Sequence, residues 1–344
     1  MVTELECQRL PKVELHAHLN GSISLKTIEK LRCLYGPERS RPTQDTNNSG
    51  ECLTLKQPTT MDEVFKIFPL VHSLTTSQEA LITATKDVIK EFSDDGVVYL
   101  ELRSTPKTTT EMSKNEYVQA VIEGIFEASK YTDIITRLLL SIDRRQTVED
   151  AQQTVDIAVA DKSGLIVGLE LSGDPSVDGR KFIPVLKRAR ASGLKVSVHL
   201  AEVSNRLDEV DEFLAFRPDR IGHGTYLHTN ENFVSLVMKH RIPLEICLTS
   251  NVMSMTTATV EDSHLKFWRD RMVPFCICTD DKGLMDCDLS SELWKASETF
   301  NLSIEDLWQT SRTALEMSFL PKSSAEYKEL SDLLERRQML ELNP

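Results

Sequence analysis

Short runs of apolar, β-branched residues recur along the chain, and segments with apolar residues three or four positions apart separate most of them. The runs have the length of strands, and the segments have the period of amphipathic helices. Strands that alternate with helices form parallel sheets, and eight such units predict an α/β fold, the (β/α)8 or TIM barrel. The predicted strands are 12–18, 97–103, 135–142, 165–171, 195–200, 220–223, 242–248 and 273–278.

Two regions depart from this repeat. Residues 36–59, between strands one and two, are rich in Pro, Thr, Asn and Ser, which predicts a mobile insertion. Residues 60–63 have the form of a capping box, and Phe65 and Phe68 follow at helical spacing, so we expect inserted lid helices over the barrel mouth. The region after Asp288 is expected to add C-terminal helices, one beginning at Ser303, and residues 1–344 to form a single domain.

Composition limits the classes of partner that the protein is expected to bind. The chain has 40 Lys and Arg against 53 Asp and Glu, a net charge of −13, which disfavours a nucleic acid polymer because phosphate binding needs a basic face. No apolar stretch approaches the ~20 residues of a membrane span, so no membrane partner is expected. Seven cysteines without a CxxC pair indicate free thiols of a reducing compartment. We expect a soluble, monomeric enzyme of the cytosol.

Chemically active residues end almost every predicted strand, and in such barrels the carboxyl ends of the strands carry the active site. A polar residue there can simply mark the start of a loop. That interpretation accounts for Ser, Gly and Asp, but not for three single histidine positions in a chain with eight histidines. The strand-end residues are His16 and His18, Arg103 to Thr105, Asp143, Ser172 to Asp174, His199, His223, Thr249 to Asn251, and Asp280 with Asp281.

His16 and His18 are two positions apart on a strand, which places both imidazoles on one face. With His199 and Asp280 they form a set of three nitrogens and one oxygen that suits Zn2+ and leaves room for a water. Such a metal lowers the pKa of a bound water towards ~7. Taken singly, each residue has an ordinary interpretation, such as a core histidine or an aspartate that caps a helix.

Three further residues adjoin this set. Glu202, three positions after His199, could give a proton to a substrate while the metal supplies the nucleophile. His223 could orient or deprotonate the water, and Asp281 could form a hydrogen bond with the substrate.

The chain resembles the adenosine and AMP deaminase family of metal-dependent hydrolases. The matching segments are residues 11–19 (PKVELHAHL), 171–174 (LSGD), 199–202 (HLAE), 220–224 (RIGHG) and 279–281 (TDD), in the family's order. The resemblance implies one Zn2+ on His16, His18, His199 and Asp280. It also implies that Glu202 protonates purine N1, that His223 acts on the water, and that the Gly173 backbone and Asp281 contact ring nitrogens. Hydroxide would then attack C6 and the exocyclic amine would leave.

The residues expected near the ribose of the substrate indicate which branch of the family the chain resembles. Adenosine deaminases have an Asp where this chain has Asn20, and a carboxylate there would repel a 5′-phosphate. Strand two is followed by Ser104, Thr105, Pro106 and Lys107, which offer hydroxyls and a cation. These segments resemble the adenosine deaminase-like subgroup, which implies conversion of N6-methyl-AMP to IMP and methylamine. The implied substrate-binding set is His18, Asn20, His72, Ser104, Thr105, Pro106, Lys107, Asp143, Gly173, Glu202 and Asp281.

Other functions stay open at this point. One is plain adenosine or AMP deamination. Another is a binuclear hydrolase of cyclic amides or esters, in which His199 and His223 bind two metals bridged by a carboxylated lysine or a glutamate of strand four. Strand four has no lysine, and Glu170 is its only candidate. The third is a ligand-binding barrel without catalysis, which would tolerate loss of Glu202 or of a metal ligand.

Overall fold

The structure is a computed structural model that describes residues 2–35 and 61–342. Within these residues eight strands form one sheet in sequence order, and every neighbouring pair is parallel. A bridge between Ala17 and Asp280 joins the last strand back to the first, and the predicted (β/α)8 barrel is confirmed. The strands are β1 Lys12–His18, β2 Val97–Ser104, β3 Ile135–Asp143, β4 Ile166–Ser172, β5 Lys195–Leu200, β6 Arg220–His223, β7 Leu244–Ile246 and β8 Phe275–Ile277.

Helices surround the sheet, and their apolar faces pack on it. On α4, for example, Ala80, Leu81, Ala84 and Val88 are buried at helical spacing. The helices are α1 Glu4–Arg9, α2 Leu25–Tyr35, α3 Met61–Leu74, α4 Gln78–Asp94, α5 Lys114–Ser129, α6 Val148–Ala160, α7 Ile183–Ala191, α8 Val210–Phe216, α9 Glu231–His240, α10 Leu248–Met253, α11 Leu265–Asp270, α12 Lys282–Met285, α13 Leu289–Phe300, α14 Ile304–Met317 and α15 Ala325–Leu342.

The last two strands are shorter than the sequence pattern predicts. Pro243 and Pro274 stand directly before β7 and β8, and proline has no N–H to donate to a neighbouring strand. Their carbonyls still accept hydrogen bonds from Ile221 and Leu244 of the adjacent strands. At the other end of β7 the chain turns into α10 at Leu248. The predicted bounds 242–248 and 273–278 are therefore wrong at both ends.

The inserted and C-terminal helices are present. Among the described residues, three helices, α2, α3 and α4, lie between β1 and β2, and α13 to α15 follow Asp288. Ser303 caps α14 with a capping box, as the sequence predicts. The predicted insertion at 36–59 and the first residue of the predicted capping box lie outside the described residues. The single-domain boundary 1–344 accordingly stays a prediction.

Two observations bear on the expectations about membrane spans and cysteines. Across residues 2–35 and 61–342 no helix is long and apolar enough to cross a membrane. The six cysteines in these ranges are free, and Cys247, Cys276 and Cys278 are buried.

Candidate metal centre and substrate cavity

Four histidines and an aspartate meet at the carboxyl ends of the strands. His16 Nε2 and His18 Nε2 lie 3.2 and 3.3 Å from Asp280 Oδ1. His18 Nε2 lies 3.3 Å from His199 Nε2. His223 Nε2 stands 3.8 Å from Asp280 Oδ2. The structure thus brings together all four residues that the sequence proposes as metal ligands, with His223 beside them.

The donor set fits a metal ion. Among the described residues, buried His16 Nε2 and His199 Nδ1 have no hydrogen-bond partner, and a desolvated nitrogen without a partner is costly. Ligand atoms of His16, His199, His223 and Asp280 all lie within 4.8 Å of one another. Nitrogen and carboxylate donors at such spacing suit a borderline divalent cation. Gly222 leaves space for them, since a Cβ there would lie 2.9 Å from His16 Cε1.

Two residues to which sequence reasoning gave no role, Ser250 at a predicted strand end and Glu245 within a strand, orient this set. Ser250 Oγ donates to Asp280 Oδ2 at 2.6 Å. His16 Nδ1 lies 2.7 Å from Glu245 Oε2 and donates to it, so the lone pair of the opposite nitrogen, Nε2, faces the cluster. A charged residue within an apolar strand was the available signal for Glu245, because a buried carboxylate needs a partner.

Glu245 belongs to a buried ionic network that crosses the barrel. Arg103 Nη2 and Arg220 Nε each lie 2.5 Å from a Glu245 oxygen, and Arg220 Nη2 lies 2.5 Å from Glu101 Oε2. Strands β2 and β7, which carry Arg103 and Glu245, are not neighbours, so this contact spans the interior. Burial raises the pKa of Glu245, but the two guanidiniums and the His16 hydrogen bond outweigh it and hold that pKa well below its usual range.

Glu202 and His223 lie at the edge of the cluster. Their closest atoms, Glu202 Oε1 and His223 Nε2, are 3.8 Å apart. Burial, together with the charge of Asp280, raises the pKa of Glu202 to about 8, so its carboxyl is protonated at neutral pH. Burial lowers the pKa of His223 to about 3 and keeps its imidazole neutral. An acid and a base thus stand side by side.

Asp281 lines the cavity beside the cluster, with a buried Oδ1 that has no hydrogen-bond partner among the described residues. Burial and the neighbouring Asp280 charge raise its pKa well above the ordinary value, which favours a carboxylic acid that can donate. Gly21 packs directly against it, since a Cβ at Gly21 would overlap Asp281 Oδ1 at 1.6 Å. Glycine at this position therefore lets Asp281 approach the cavity wall.

A cavity of about 250 Å³ extends from the metal cluster to the lid helix α3. Burial lowers the pKa of Lys107 to about 8 and, with nearby Lys107, that of His72 to about 4. Pro106 is buried but does not line the cavity, which separates it from the rest of the predicted substrate-binding set. Of that set, the lining residues are His18, Asn20, His72, Ser104, Thr105, Lys107, Asp143, Gly173, Glu202 and Asp281.

Sequence reasoning did not assign several other lining residues. Arg145 adjoins Asp143, to which its backbone N–H and its guanidinium donate. Pro69 and Met285 line the same cavity with Phe68, which sequence reasoning placed on the lid helix. The side chain of Phe65, the other aromatic residue of that predicted helix, lies outside the described part of the chain.

A (β/α)8 barrel with a His/Asp cluster at the carboxyl ends of its strands defines a metal-dependent hydrolase class. The family model described as adenosine deaminase matches residues 11–336. The chain belongs to the adenosine deaminase family and is a hydrolytic deaminase that acts on C–N bonds, which confirms the resemblance in its sequence motifs.

Relatives match at least nine tenths of the chain. The Xenopus laevis N6-methyl-AMP deaminase-L is 44% identical over 316 residues, which cover 90% of this chain and 89% of that protein. The human N6-methyl-AMP deaminase is 43% identical over 326 residues, which cover 92% and 90%. The crystal structure of Arabidopsis ADAL complexed with IMP superposes with a TM-score of 0.87 at 34% identity and covers 96% of this chain and 97% of that one.

Proposed function

We propose that this protein hydrolyses N6-methyl-AMP to IMP and methylamine with one zinc ion per chain. The observation that carries the proposal is the cavity, which joins the His/Asp cluster at one end to Lys107 and its neighbouring hydroxyls at the other. A purine nucleotide would place its C6 at the metal end of this cavity and its 5′-phosphate at the Lys107 end. The names of the relatives from Xenopus and human, and the IMP complex of the Arabidopsis protein, support this substrate.

His16, His18, His199 and Asp280 would hold the zinc. When bound, zinc supplies Lewis acidity that makes a water nucleophilic at neutral pH. Neutral His223, 3.8 Å from Asp280, would orient that water through a ring nitrogen. It would take a proton from the water only where binding raises its pKa, because a base with a pKa of about 3 accepts a proton poorly at neutral pH. Ser250 and Glu245 hold Asp280 and His16 in place through the hydrogen bonds already described.

Glu202 supplies the proton that the purine requires. As C6 becomes tetrahedral, negative charge would collect on N1 unless an acid protonates it. The raised pKa of Glu202 keeps its proton available at neutral pH. Asp281, also protonated, would donate to another ring nitrogen, and the backbone of Gly173 would contact the same face.

The phosphate end is built from donors. Ser104 ends β2, Thr105 and Lys107 follow it, and His72 reaches the cavity from α3. Asn20 carries no charge, so it does not repel an anion. A phosphate would raise the pKa values of Lys107 and His72 and draw protons onto both, because an opposite charge favours their ionised forms.

An apolar wall provides space for the methyl group. Met285 lines the cavity, and it packs with Met253, Cys287 and Phe68 in a small cluster. A thioether adapts its shape to small apolar groups, so this wall suits N6-methyl better than a charged substituent.

Measurement of kcat/KM for adenosine, AMP, N6-methyladenosine and N6-methyl-AMP tests the proposal. We expect N6-methyl-AMP to lead. Equal efficiency on adenosine would refute the phosphate assignment, and a higher efficiency on AMP would refute the methyl preference.

Glu202→Gln should keep zinc and bind IMP while kcat falls ~10²–10⁴-fold, the usual cost of removing a general acid. Near-normal kcat in that variant would show that another group, not Glu202, is the proton donor.

A binuclear hydrolase is the second candidate, because Glu170 lies near two of the histidines. Its Oε1 stands 3.6 Å from His18 Nε2 and 3.3 Å from His199 Nδ1. Arg103 Nε stands 3.6 Å from its other oxygen, and this guanidinium neutralises the carboxylate that a second metal would need. Elemental analysis that finds two metals per chain would favour this candidate over the deaminase with one zinc.

We also propose a monomeric enzyme of the cytosol, with small nucleotides rather than nucleic acid polymers as partners. The free thiols support a reducing compartment. Cys276 Sγ and Cys278 Sγ lie 3.4 Å apart and share a hydrogen bond but no disulfide, and burial raises the pKa of Cys278 well above its usual value. Sedimentation of the purified protein and imaging of the tagged protein in cells test both parts.

A further inference from the structure

Arg144, a buried residue directly after β3, reaches two other loops. Its Nη2 donates to the backbone carbonyl of His199 at 2.7 Å. Its Nη1 donates to Glu209 Oε2 at 2.9 Å and to the carbonyl of Val177 at 2.8 Å. One guanidinium therefore joins the loops that follow three successive strands, β3, β4 and β5.

The segment 200–208 is anchored by Arg144 at both of its ends. His199 stands just before this segment, and Glu209 stands just after it, where α8 begins. Both Glu209 oxygens contact Arg144, and Oε2 also accepts the N–H of Gly179 at 2.8 Å. Charge-assisted bonds of this length are among the strongest that side chains form. The span of the segment is thus set by one side chain.

Glu202 lies on this segment and has little support of its own. Within the described residues its carboxyl makes no hydrogen bond, and its Oε2 is buried without a partner. The imidazole of His223 is neutral, and its Nε2 lies 3.8 Å from Glu202 Oε1, beyond hydrogen-bond distance. The preceding Ala201 has a left-handed φ of 52°, a backbone conformation that costs a non-glycine residue free energy unless its surroundings impose it. The position of the Glu202 carboxyl therefore depends on the backbone around it.

We propose that Arg144 and Glu209 form a positioning pair, which fixes segment 200–208 and thereby aims the Glu202 carboxyl at the substrate. The inference rests on the proposed function, in which Glu202 is the proton donor. A buried ion pair is weak evidence for stability, since desolvation offsets much of its attraction. Its geometry is specific, however: a Cβ at Gly179 would lie 2.9 Å from Arg144 Nη1, so the loop after β4 leaves space for the guanidinium.

Arg144→Lys and Glu209→Gln in the zinc-loaded enzyme test the pair. We expect unchanged zinc content, KM for N6-methyl-AMP within about threefold, and kcat lower by about 10- to 100-fold, because a displaced catalytic group loses rate steeply. Arg190→Lys is the matched control. Arg190 donates to the carbonyls of Phe216 and Arg217, which precede β6 at the opposite end of the barrel. This control should keep kcat within about twofold of wild type.

The decisive comparison repeats Arg144→Lys in the Glu202→Gln background. If the pair acts through Glu202, the residual rate should change by less than about threefold there, because coupled residues are not additive. An equal loss in both backgrounds would show a merely structural role and overturn the proposal. If Arg144→Lys does not fold, Glu209→Gln, which keeps the shape of the side chain, decides in the same way.

Hydrogen exchange gives a readout apart from activity. Amides of segment 200–208 should exchange faster in Arg144→Lys and Glu209→Gln than in wild type and Arg190→Lys, because the anchors are lost. Unchanged exchange would overturn the positioning pair even in an active enzyme. If wild type deaminates no purine nucleotide, the proposed function fails, and this comparison still decides whether the pair fixes the segment.

Discussion

Glu245→Gln is the substitution that best tests how the barrel interior serves the metal centre. The wild-type carboxylate accepts the Nδ1–H of His16 at 2.7 Å and pairs with Arg103 and Arg220. Glutamine keeps the shape and an acceptor oxygen, but it removes the charge that makes the imidazole a stronger ligand. Partners of this kind typically affect metal affinity by about 10- to 100-fold, which corresponds to about 1.4–2.7 kcal/mol.

Glu101→Gln is the matched control. Glu101 binds the same Arg220 at 2.5 Å and is equally buried, but it does not touch His16. Glu101→Gln takes one carboxylate from Arg220, and Glu245→Gln takes one from both Arg103 and Arg220. Each should lower the free energy of unfolding, by up to about 3–5 kcal/mol for each guanidinium affected. Only Glu245→Gln should also weaken zinc binding.

Two measurements separate the effects. Urea unfolding of the metal-free proteins reports stability, and competition with a chelator of known affinity reports zinc binding. We expect a loss of stability in both variants, larger in Glu245→Gln, and a weaker zinc affinity in Glu245→Gln alone. Equal zinc affinity in Glu245→Gln and Glu101→Gln would refute the reasoning, since it would reduce the His16 contact to ordinary packing.

Three further outcomes are expected. Gly222→Ala places a Cβ 2.9 Å from His16 Cε1 and should abolish zinc binding, measured by elemental analysis, while circular dichroism stays unchanged. Lys107→Met removes a charge-assisted bond and should lower kcat/KM for the nucleotide by ~10- to 150-fold, but equal losses for the nucleoside would contradict a phosphate role. Burial and Arg103 lower the pKa of His16, but the Asp280 carboxylate and the hydrogen bond to Glu245 raise it to about 9. Zinc must therefore displace a proton, and its affinity should rise between pH 6 and 9 in chelator competition. A flat profile would contradict that assignment.

The sequence pattern predicts the residues of the cluster because strand ends converge in a barrel. His16, His199 and Asp280 lie at the ends of β1, β5 and β8, and each follows a recognisable apolar run. Closure of the sheet then brings these ends to one face, whatever the details of packing. The pattern misjudges the length of β7, which begins after Pro243 and ends before α10. The missing N–H of Pro243 was available as a signal for the first of these bounds.

The sequence pattern does not predict which side chains the buried charged residues contact. Arg144 and Glu209 are 65 positions apart, and their pairing depends on the loops after β3 and β5 meeting. Arg103 and Glu245 contact each other across the barrel, which no period along the chain encodes. A sequence shows that a charge stands in a strand, and hence that it needs a partner, but only the packed structure shows which partner.

The barrel interior departs from the layers of Val, Ile and Leu that fill most barrels of this kind. Here Glu101, Arg103, Arg220 and Glu245 are fully buried below the metal cluster. Apolar residues of similar volume would often be as stable or more stable, because buried ions lose hydration. An apolar interior, however, could not accept the Nδ1–H of His16, and the imidazole would be free to rotate. The charges therefore fix the orientation of a metal ligand. The protein is less stable than it would be with an apolar interior, but the geometry of its metal centre is set before the metal binds.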